Sequence, residues 1–138
     1  MEFQKITISL EINVKKDKVW DCYTNPEHIV NWNFAHESWC CLSANNDLTV
    51  GGKYFARMEA RDGSFGFDFE AIYLDVQPTT SFTYQLADER IVKVDFEVKE
   101  NSTTVTIVFD AETENPIELQ EGGWMAILQN FKAYIEKN

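Results

Sequence analysis

The sequence predicts an α+β protein, with a curved antiparallel sheet of about six or seven strands around a long C-terminal helix and two short helices after the first strand. Most residues between Phe3 and Ala111 alternate between apolar and polar with a period of two, which is typical of strands. One long amphipathic segment follows Asn115-Pro116. A helix there has to bury its apolar stripe against the sheet, because the chain offers no other large partner.

The first strand and the two short helices are predicted from the first quarter of the chain. Phe3 to Val14 alternates regularly, which indicates a half-buried strand. Lys16 to Thr24 has apolar residues at helical spacing. Asn25 then suits an N-cap and Pro26 suits the first position of a new helix, which carries Trp32 on its apolar face. We therefore expect two short helices here.

The middle of the chain is predicted to consist of strands joined by short turns. The predicted strands cover residues 53–60, 65–76, 81–86, 91–98 and 105–109, and another begins at Ser38. Arg61-Asp62-Gly63-Ser64 contains the Asp-Gly pair that is typical of hairpins. Because the turns are short, neighbouring strands are expected to pair antiparallel.

The closing helix has its own start signal and an apolar stripe. Asn115 suits an N-cap, Pro116 the first helical position, and Glu118 places a carboxylate in the first turn. The stripe consists of Ile117, Trp124, Leu128, Phe131 and Ile135. Gly122-Gly123 costs about 1 kcal/mol per glycine in a helix. We expect close approach of a neighbouring backbone, or room for a ligand, at that point.

Length, charge and cysteine content narrow the class of protein. The 138 residues are enough for one domain with its own core, and we predict a single domain over 1–138. The formal net charge of −11 disfavours binding to nucleic acid or to anionic membranes. Three cysteines, an odd number, suggest reduced thiols in the cytoplasm. The sequence shows neither an export signal nor a membrane span.

Several segments match one family pattern in order along nearly the whole chain. They are Lys18–Asp21, Thr24–Ile29, Asn31-Trp32, Gly51–Phe55, Met58, Asp62-Gly63, Tyr73–Pro78, Thr103–Thr106 and Gly123-Trp124 with Leu128. Together they resemble the START-like (SRPBCC, Bet v-like helix-grip) superfamily, and more narrowly the branch named for homology to the activator of the heat-shock-protein ATPase. The resemblance implies a helix-grip fold, a START-like domain in which the curved sheet wraps the C-terminal helix around a cavity.

The resemblance also implies a range of functions. Members of the superfamily bind lipids, hormones, polyketides or other hydrophobic molecules, and some are cyclases or aromatase-like enzymes. The chain departs from the pattern at Asn33, which replaces a frequent aromatic residue, and at Ala71, which stands where glycine is frequent. It also has a single short domain, whereas the eukaryotic co-chaperones that give the branch its name carry an additional one.

The aromatic and apolar side chains of the predicted strands and helix are candidates to line a ligand cavity of about 300–1,000 Å³. The predicted ligand-binding residues are Tyr54, Met58, Phe65, Phe67, Phe69, Tyr73, Tyr84, Trp124, Leu128 and Phe131. The alternative for each of them is that it simply fills the core.

Candidates for catalysis or metal binding are few. Asp75 has the same strand parity as Tyr73, and Glu121 lies on the inward stripe of the last helix, so these are the two weak candidates for an acid or base. His28 and His36 lack a cysteine or carboxylate at ligand spacing in the sequence, so no metal site is predicted. No cofactor is predicted either.

The leading hypothesis is non-catalytic binding of a small hydrophobic or amphipathic molecule between the helix and the sheet. An enzyme that uses the same cavity, of the cyclase, dehydratase or hydrolase type, is the first alternative. A protein-interaction domain resembling the chaperone activators is the second. The expected partner is thus a small hydrophobic molecule such as a lipid, and a homodimer is possible.

Overall fold

The computed structural model describes residues 3–137, which form seven strands and three helices. In chain order these are β1 (Lys5–Ile12), α1 (Lys16–Thr24), α2 (Pro26–Ile29), β2 (Trp39–Asn46), β3 (Lys53–Ala60), β4 (Gly66–Gln77), β5 (Ser81–Leu86), β6 (Ile91–Lys99), β7 (Ser102–Asp110) and α3 (Ile117–Lys137). The predicted α+β class, the long C-terminal helix and the two short helices after the first strand are confirmed.

All seven strands form one curled antiparallel sheet in the order β1-β7-β6-β5-β4-β3-β2. Strands β2 to β7 are joined in sequence by short connections, so each pairs with its neighbour in the chain. The exception is the connection from β1 to β2, because these two strands occupy opposite edges. Helices α1 and α2 lie within this connection, which places them alongside the sheet together with α3.

Helix α3 packs against β1 and α1 through its apolar stripe. Leu128, Phe131 and Ile135 are the buried members of the stripe, at intervals of three and four residues. The Asn130 side chain donates hydrogen bonds to the carbonyl oxygens of Trp32 at 2.9 Å and Phe34 at 3.4 Å. These bonds hold the segment after α2 against the helix.

The two predicted helix starts differ in outcome. Asn25 caps α2 as predicted, because its side-chain oxygen accepts a hydrogen bond from the Glu27 N–H at 3.0 Å. Helix α3 begins only at Ile117, and the Asn115 amide instead donates to the Glu112 carboxylate at 3.0 Å. Gln120 secures this helix start to the preceding loop by exchanging two hydrogen bonds with the Glu112 backbone.

The expectation of close backbone approach at Gly122-Gly123 is wrong. A Cβ atom added at either glycine would meet no neighbouring atom within 4 Å. Close approach instead requires glycine at Gly52, where a Cβ would lie 2.2 Å from the Asp47 carbonyl oxygen. The glycine pair in α3 therefore leaves open space beside the first turns of the helix.

A β-bulge in β4 changes which side chains face inward. Tyr73 pairs with Tyr84, but Asp75 pairs with Thr83, so Leu74 is an extra residue on this strand. One inserted residue reverses the alternation of faces beyond it. As a result Tyr73 is buried, Asp75 is exposed, and Val76 packs against the core.

The Glu136 carboxylate joins the end of α3 to the residue that follows β1, which predicts a pH-dependent contribution to stability. Glu136 accepts hydrogen bonds from Lys132 Nζ at 2.6 Å and from the Asn13 N–H at 2.9 Å. The Lys132 contact, followed by the Asn13 contact, lowers the pKa of Glu136 from its ordinary value of 4.5. Because the folded-state pKa is the lower one, the stabilisation is full above the ordinary pKa and is lost as the pH falls through the folded-state value.

We therefore expect Glu136→Gln to be less stable than the parent by up to about 1 kcal/mol at pH 7, with a smaller difference at pH 3. Urea unfolding at the two pH values measures this. Glu97→Gln, which changes an exposed glutamate on β6, is the control. A Glu136 effect of equal size at both pH values would contradict the proposed role of its charge.

The three cysteines, Cys22, Cys40 and Cys41, are all free thiols. Burial raises the pKa of the Cys22 and Cys41 thiols, which keeps both in the protonated form at neutral pH. Among residues 3–137, every helix falls short of the length and apolar character that a membrane crossing requires.

Candidate functional site

A cavity of about 210 Å³ lies between α3, the segment from α1 to Asn33, and the sheet. It is smaller than the expected range of about 300–1,000 Å³. The residues that line it are mostly aromatic or apolar. They are Tyr23, Thr24, Trp32, Asn33, Tyr54, Met58, Phe67, Phe69, Tyr73, Phe82, Tyr84, Ile107, Trp124, Ile127 and Leu128.

Eight of the ten side chains predicted to bind a ligand lie on the wall of this cavity. They are Tyr54, Met58, Phe67, Phe69, Tyr73, Tyr84, Trp124 and Leu128. The strand residues among them come together because alternate positions of adjacent antiparallel strands face the same side. Trp124 and Leu128 are one helical turn apart on α3, so both point toward the sheet.

Phe65 and Phe67 mark the open end of the aromatic face. Phe65 precedes β4, is 61% exposed and does not line the cavity. Phe67 lines the cavity and is still 42% exposed, which places its ring at the mouth. Trp39 of β2 contacts both rings, with centroid distances of 5.8 Å to Phe65 and 6.0 Å to Phe67. The three rings thus form one aromatic cluster at the partly exposed end of the face.

Phe131 lies behind the cavity wall. Its side chain is fully buried, and its ring centroid is 5.1 Å from that of Tyr23 and 4.9 Å from that of Trp32. Tyr23 and Trp32 themselves line the cavity, so Phe131 supports them from the core. The sequence pattern does not separate these roles, because Phe131 and Leu128 belong to the same apolar stripe.

The two weak candidates for acid or base chemistry lie away from the cavity. The bulge at Leu74 turns Asp75 outward, where its carboxylate accepts a hydrogen bond from Gln77 at 3.0 Å. Glu121 is exposed on α3 and does not line the cavity. The lining residues include no carboxylate, imidazole, lysine or arginine.

Several lining residues did not emerge as candidates from the sequence. Tyr23 and Trp32 come from the short helical region, where helical spacing indicated an apolar face but not what that face meets. Asn33 was visible only as a departure from the family pattern, yet its amide contacts the Tyr54 hydroxyl at 3.5 Å. A polar residue where an aromatic one is frequent was thus the available signal for a wall position.

A series of hydrogen bonds through Asn46 links two residues of the cavity wall. The Tyr73 hydroxyl donates to Asn46 Oδ1 at 2.7 Å, and Asn46 Nδ2 donates to the Thr24 carbonyl oxygen at 2.7 Å. Asn46 therefore joins β4 to the end of α1 from its position on β2. These hydrogen bonds hold two lining residues, Tyr73 and Thr24, at a fixed separation.

We expect Asn46→Ala to lower the free energy of unfolding by about 1–3 kcal/mol, because the substitution leaves a buried hydroxyl and a carbonyl without partners. Chemical denaturation measures the loss. Asn45→Ala, at the exposed neighbouring position of the same strand, should change stability by less than about 0.5 kcal/mol. Similar losses in the two variants would show that the hydrogen bonds of Asn46 contribute no more to stability than an exposed side chain does.

The phenols of the wall remain uncharged. Desolvation by burial is the main cause that raises the pKa of Tyr23, Tyr54, Tyr73 and Tyr84. In Tyr73 the hydrogen bond to Asn46 acts in the opposite direction and is the smaller influence. All four side chains consequently present neutral hydroxyl groups at physiological pH.

Three side chains of the kinds that bind metals lie close together outside the cavity, although the sequence spacing predicted no metal site. Side-chain atoms of Asp21, Cys22 and His28 lie within 4.8 Å of one another. His28 Nδ1 is 2.7 Å from the Tyr134 hydroxyl, and His28 Nε2 is 3.5 Å from Asp21 Oδ2. His28 thus connects α1, α2 and α3. Burial and the Asp21 charge both raise the pKa of the Cys22 thiol, which opposes the thiolate form that metals bind.

Solved structures of other proteins have the same architecture. The solution structure of an AHSA1-like protein from Aeromonas hydrophila is 37% identical, with a TM-score of 0.92 over 97% of this chain and 93% of that one. A protein from Cytophaga hutchinsonii is 39% identical, with a TM-score of 0.84 and the same two coverages. A protein from Chromobacterium violaceum is 20% identical and shares the fold, with a TM-score of 0.83 over 96% of each chain.

Comparison with curated protein sequences gives no match. The family model described as Activator of Hsp90 ATPase homolog 1-like protein matches residues 13–136, which is most of the chain. The fold, the sequence matches and the similar structures agree. The chain belongs to the Activator of Hsp90 ATPase homolog 1-like family, within the SRPBCC helix-grip superfamily.

Proposed function

We propose that this protein binds a small hydrophobic or amphipathic molecule in the cavity between α3 and the sheet, without transforming it chemically. The observation that carries the proposal is the cavity of about 210 Å³ with its aromatic and apolar wall. Burial of apolar ligand surface there would favour binding by about 25 cal/mol per Å². The tyrosine hydroxyls and the Asn33 amide supply the few polar groups that orient a ligand.

The chemistry of the wall supports binding over catalysis. Neutral phenols are poor general bases at physiological pH, and desolvation raises the pKa of Tyr23 and Tyr84 further. Asp75 and Glu121, the two carboxylates considered for catalysis, both lie off the wall. An enzyme in this cavity would have to work without a charged acid or base of its own.

The mouth at Phe67 supports access of a ligand from solvent. This ring borders the cavity and is also partly exposed. It lies at the start of β4, next to Trp39 of β2. We propose that a ligand enters past the Phe67 ring.

The test is a thermal-shift screen of small apolar compounds with the purified protein, followed by titration and chromatographic recovery of each hit. A ligand at 100 times its Kd stabilises the folded state by about 2.7 kcal/mol, which raises Tm by several degrees. We expect hits that are recovered unchanged after long incubation. Conversion of a hit to product would replace this proposal with the enzyme alternative, and a screen without any stabilising compound would oppose both.

A further inference from the structure

We propose that the cavity selects a compact, uncharged aromatic compound with a carbonyl oxygen, which the hydroxyls of Tyr23 and Tyr84 bind. The inference rests on the proposed function and specifies the ligand class for the same site. It excludes long-chain lipids and organic anions. Four properties of the cavity lead to this class: its volume, the rings of its wall, its lack of charge and its two unpartnered hydroxyl groups.

The volume sets the size of the ligand. The cavity measures about 210 Å³. A dry protein cavity of about 150 Å³ holds one benzene molecule, so by proportion this one suits a ligand of about eight or nine non-hydrogen atoms. Such a compound is a single ring with a small substituent. A long acyl chain would leave most of its length outside the cavity.

The wall is made of rings that contact one another at angles. Tyr54 and Tyr84 have ring centroids 5.5 Å apart with an interplanar angle of 33°, and Tyr23 and Trp32 are 4.9 Å apart at 34°. Rings tilted against one another in this way can make both edge and face contacts with a further ring. An aromatic ligand gains about 0.5–1.5 kcal/mol per ring pair beyond its buried area from such contacts, so the wall favours a ring over an aliphatic group of equal size.

Charge excludes ionised ligands. The wall offers no cationic side chain as a counter-ion to a bound carboxylate. The protein as a whole carries a formal net charge of −11, which repels anions at the mouth. An ion that enters the cavity would lose its hydration without gaining a charged partner, and this costs several kcal/mol.

Two hydroxyl groups remain for the ligand. Tyr73 donates to Asn46 at 2.7 Å, and the Tyr54 hydroxyl is 3.5 Å from the Asn33 amide nitrogen. The hydroxyls of Tyr23 and Tyr84 have no hydrogen-bond partner within residues 3–137. In residues 3–137, every side-chain nitrogen or oxygen atom that is fully buried has a hydrogen-bond partner. A tyrosine hydroxyl without a partner must therefore border accessible space. Since both tyrosines line the cavity, and Tyr84 is buried while Tyr23 is half-buried, we infer that their hydroxyls face it.

A carbonyl group complements these donors. Each phenol carries one O–H that needs an acceptor, and a carbonyl oxygen has two lone pairs that accept from either or both. An apolar ligand of the same size would leave the two hydroxyl groups unpaired in a dry site. The difference between a ketone and the corresponding hydrocarbon therefore measures the contribution of Tyr23 and Tyr84.

The experiment compares four probes by titration calorimetry: acetophenone, ethylbenzene, benzoate and decanoate. We expect acetophenone to bind at least about fivefold more tightly than ethylbenzene, which has the same ring but no acceptor. Benzoate should bind at least about tenfold more weakly than acetophenone, because its charge enters without a partner. Decanoate should bind more weakly than acetophenone as well.

Variants identify the residues responsible. Tyr23→Phe and Tyr84→Phe should each weaken acetophenone binding about fivefold, and ethylbenzene should bind each variant at least as tightly as it binds the parent, because the unpaired hydroxyl is gone. Tyr134→Phe, which removes a hydroxyl on α3 outside the cavity, is the matched control and should change neither. Loss of binding for both probes in a tyrosine variant would be a packing effect and would count against the hydrogen-bonding role.

The outcomes separate the two proposals. Tighter binding of decanoate or benzoate than of acetophenone would overturn the ligand class and leave the proposed binding function intact. Equal affinity of acetophenone for the parent and both tyrosine variants would do the same. Failure of all four probes and of the wider screen would overturn the proposed function itself.

Discussion

Replacing Phe131 with alanine is expected to lower the free energy of unfolding by about 3–5 kcal/mol, one of the largest losses available to a single substitution in this chain. Phe131 is fully buried and is the ring on α3 that contacts both Tyr23 and Trp32. Its removal leaves a void at the junction of α3 with the segment from α1 to Asn33. Because both of its partners line the cavity, the variant should also weaken ligand binding.

Denaturant unfolding followed by tryptophan fluorescence measures the loss. Phe65→Ala removes the same ring from a position that is 61% exposed, so we expect a loss below about 1 kcal/mol. If Phe131→Ala does not fold, Phe131→Leu keeps most of the apolar volume and should cost less than about 2 kcal/mol. Equal losses for the alanine variants at positions 131 and 65 would show that Phe131 does not hold α3 in place.

Replacing Leu128 with tryptophan is expected to abolish ligand binding while the protein stays folded. Leu128 lines the cavity and its side chain is only 1% exposed, so a larger side chain has to project into the void. Overpacking usually costs about 1–3 kcal/mol, which a stable domain can tolerate. An indole in a space of about 210 Å³ leaves too little room for the ligand, and affinity should fall more than about tenfold.

The matched control is Leu119→Trp, which makes the same change on the same helix at a position that is 63% exposed. It should bind ligand as the parent does. Circular dichroism and denaturant unfolding establish that both variants are folded before affinities are compared. A Leu128→Trp variant that binds with parental affinity would place the ligand elsewhere on the molecule.

The strands and helices were predictable because their signals are local. Period-two alternation identified β3 and β5 with the boundaries that the structure shows, Lys53–Ala60 and Ser81–Leu86. The Asn25-Pro26 pair divided α1 from α2 correctly, since an N-cap and a first-position proline act through the adjacent backbone. The start of α3 at Ile117 was less predictable, because Glu112 engages the side chain of Asn115.

Which side chains meet at the site was only partly predictable. Strand parity placed Tyr54, Met58 and Tyr73 on one wall, and the structure has them there. The same parity failed for Asp75, because the register of β4 against β5 inserts Leu74, a choice that depends on both strands. Tyr23 and Asn33 reach the cavity from outside the sheet, and local periodicity does not specify such long-range contacts.

The sequence by itself determined the order of strands and helices, the apolar stripe of α3, the acidic net charge and the family pattern. Each of these depends on composition or on residues close together in the chain. Only the tertiary structure decided that Phe131 fills the core while Leu128 borders a cavity, and that this cavity measures about 210 Å³. The volume is what remains after side chains from most of the strands and helices have packed. The pattern of any one segment therefore cannot predict the cavity volume, because that volume depends on the packing of all of these side chains together.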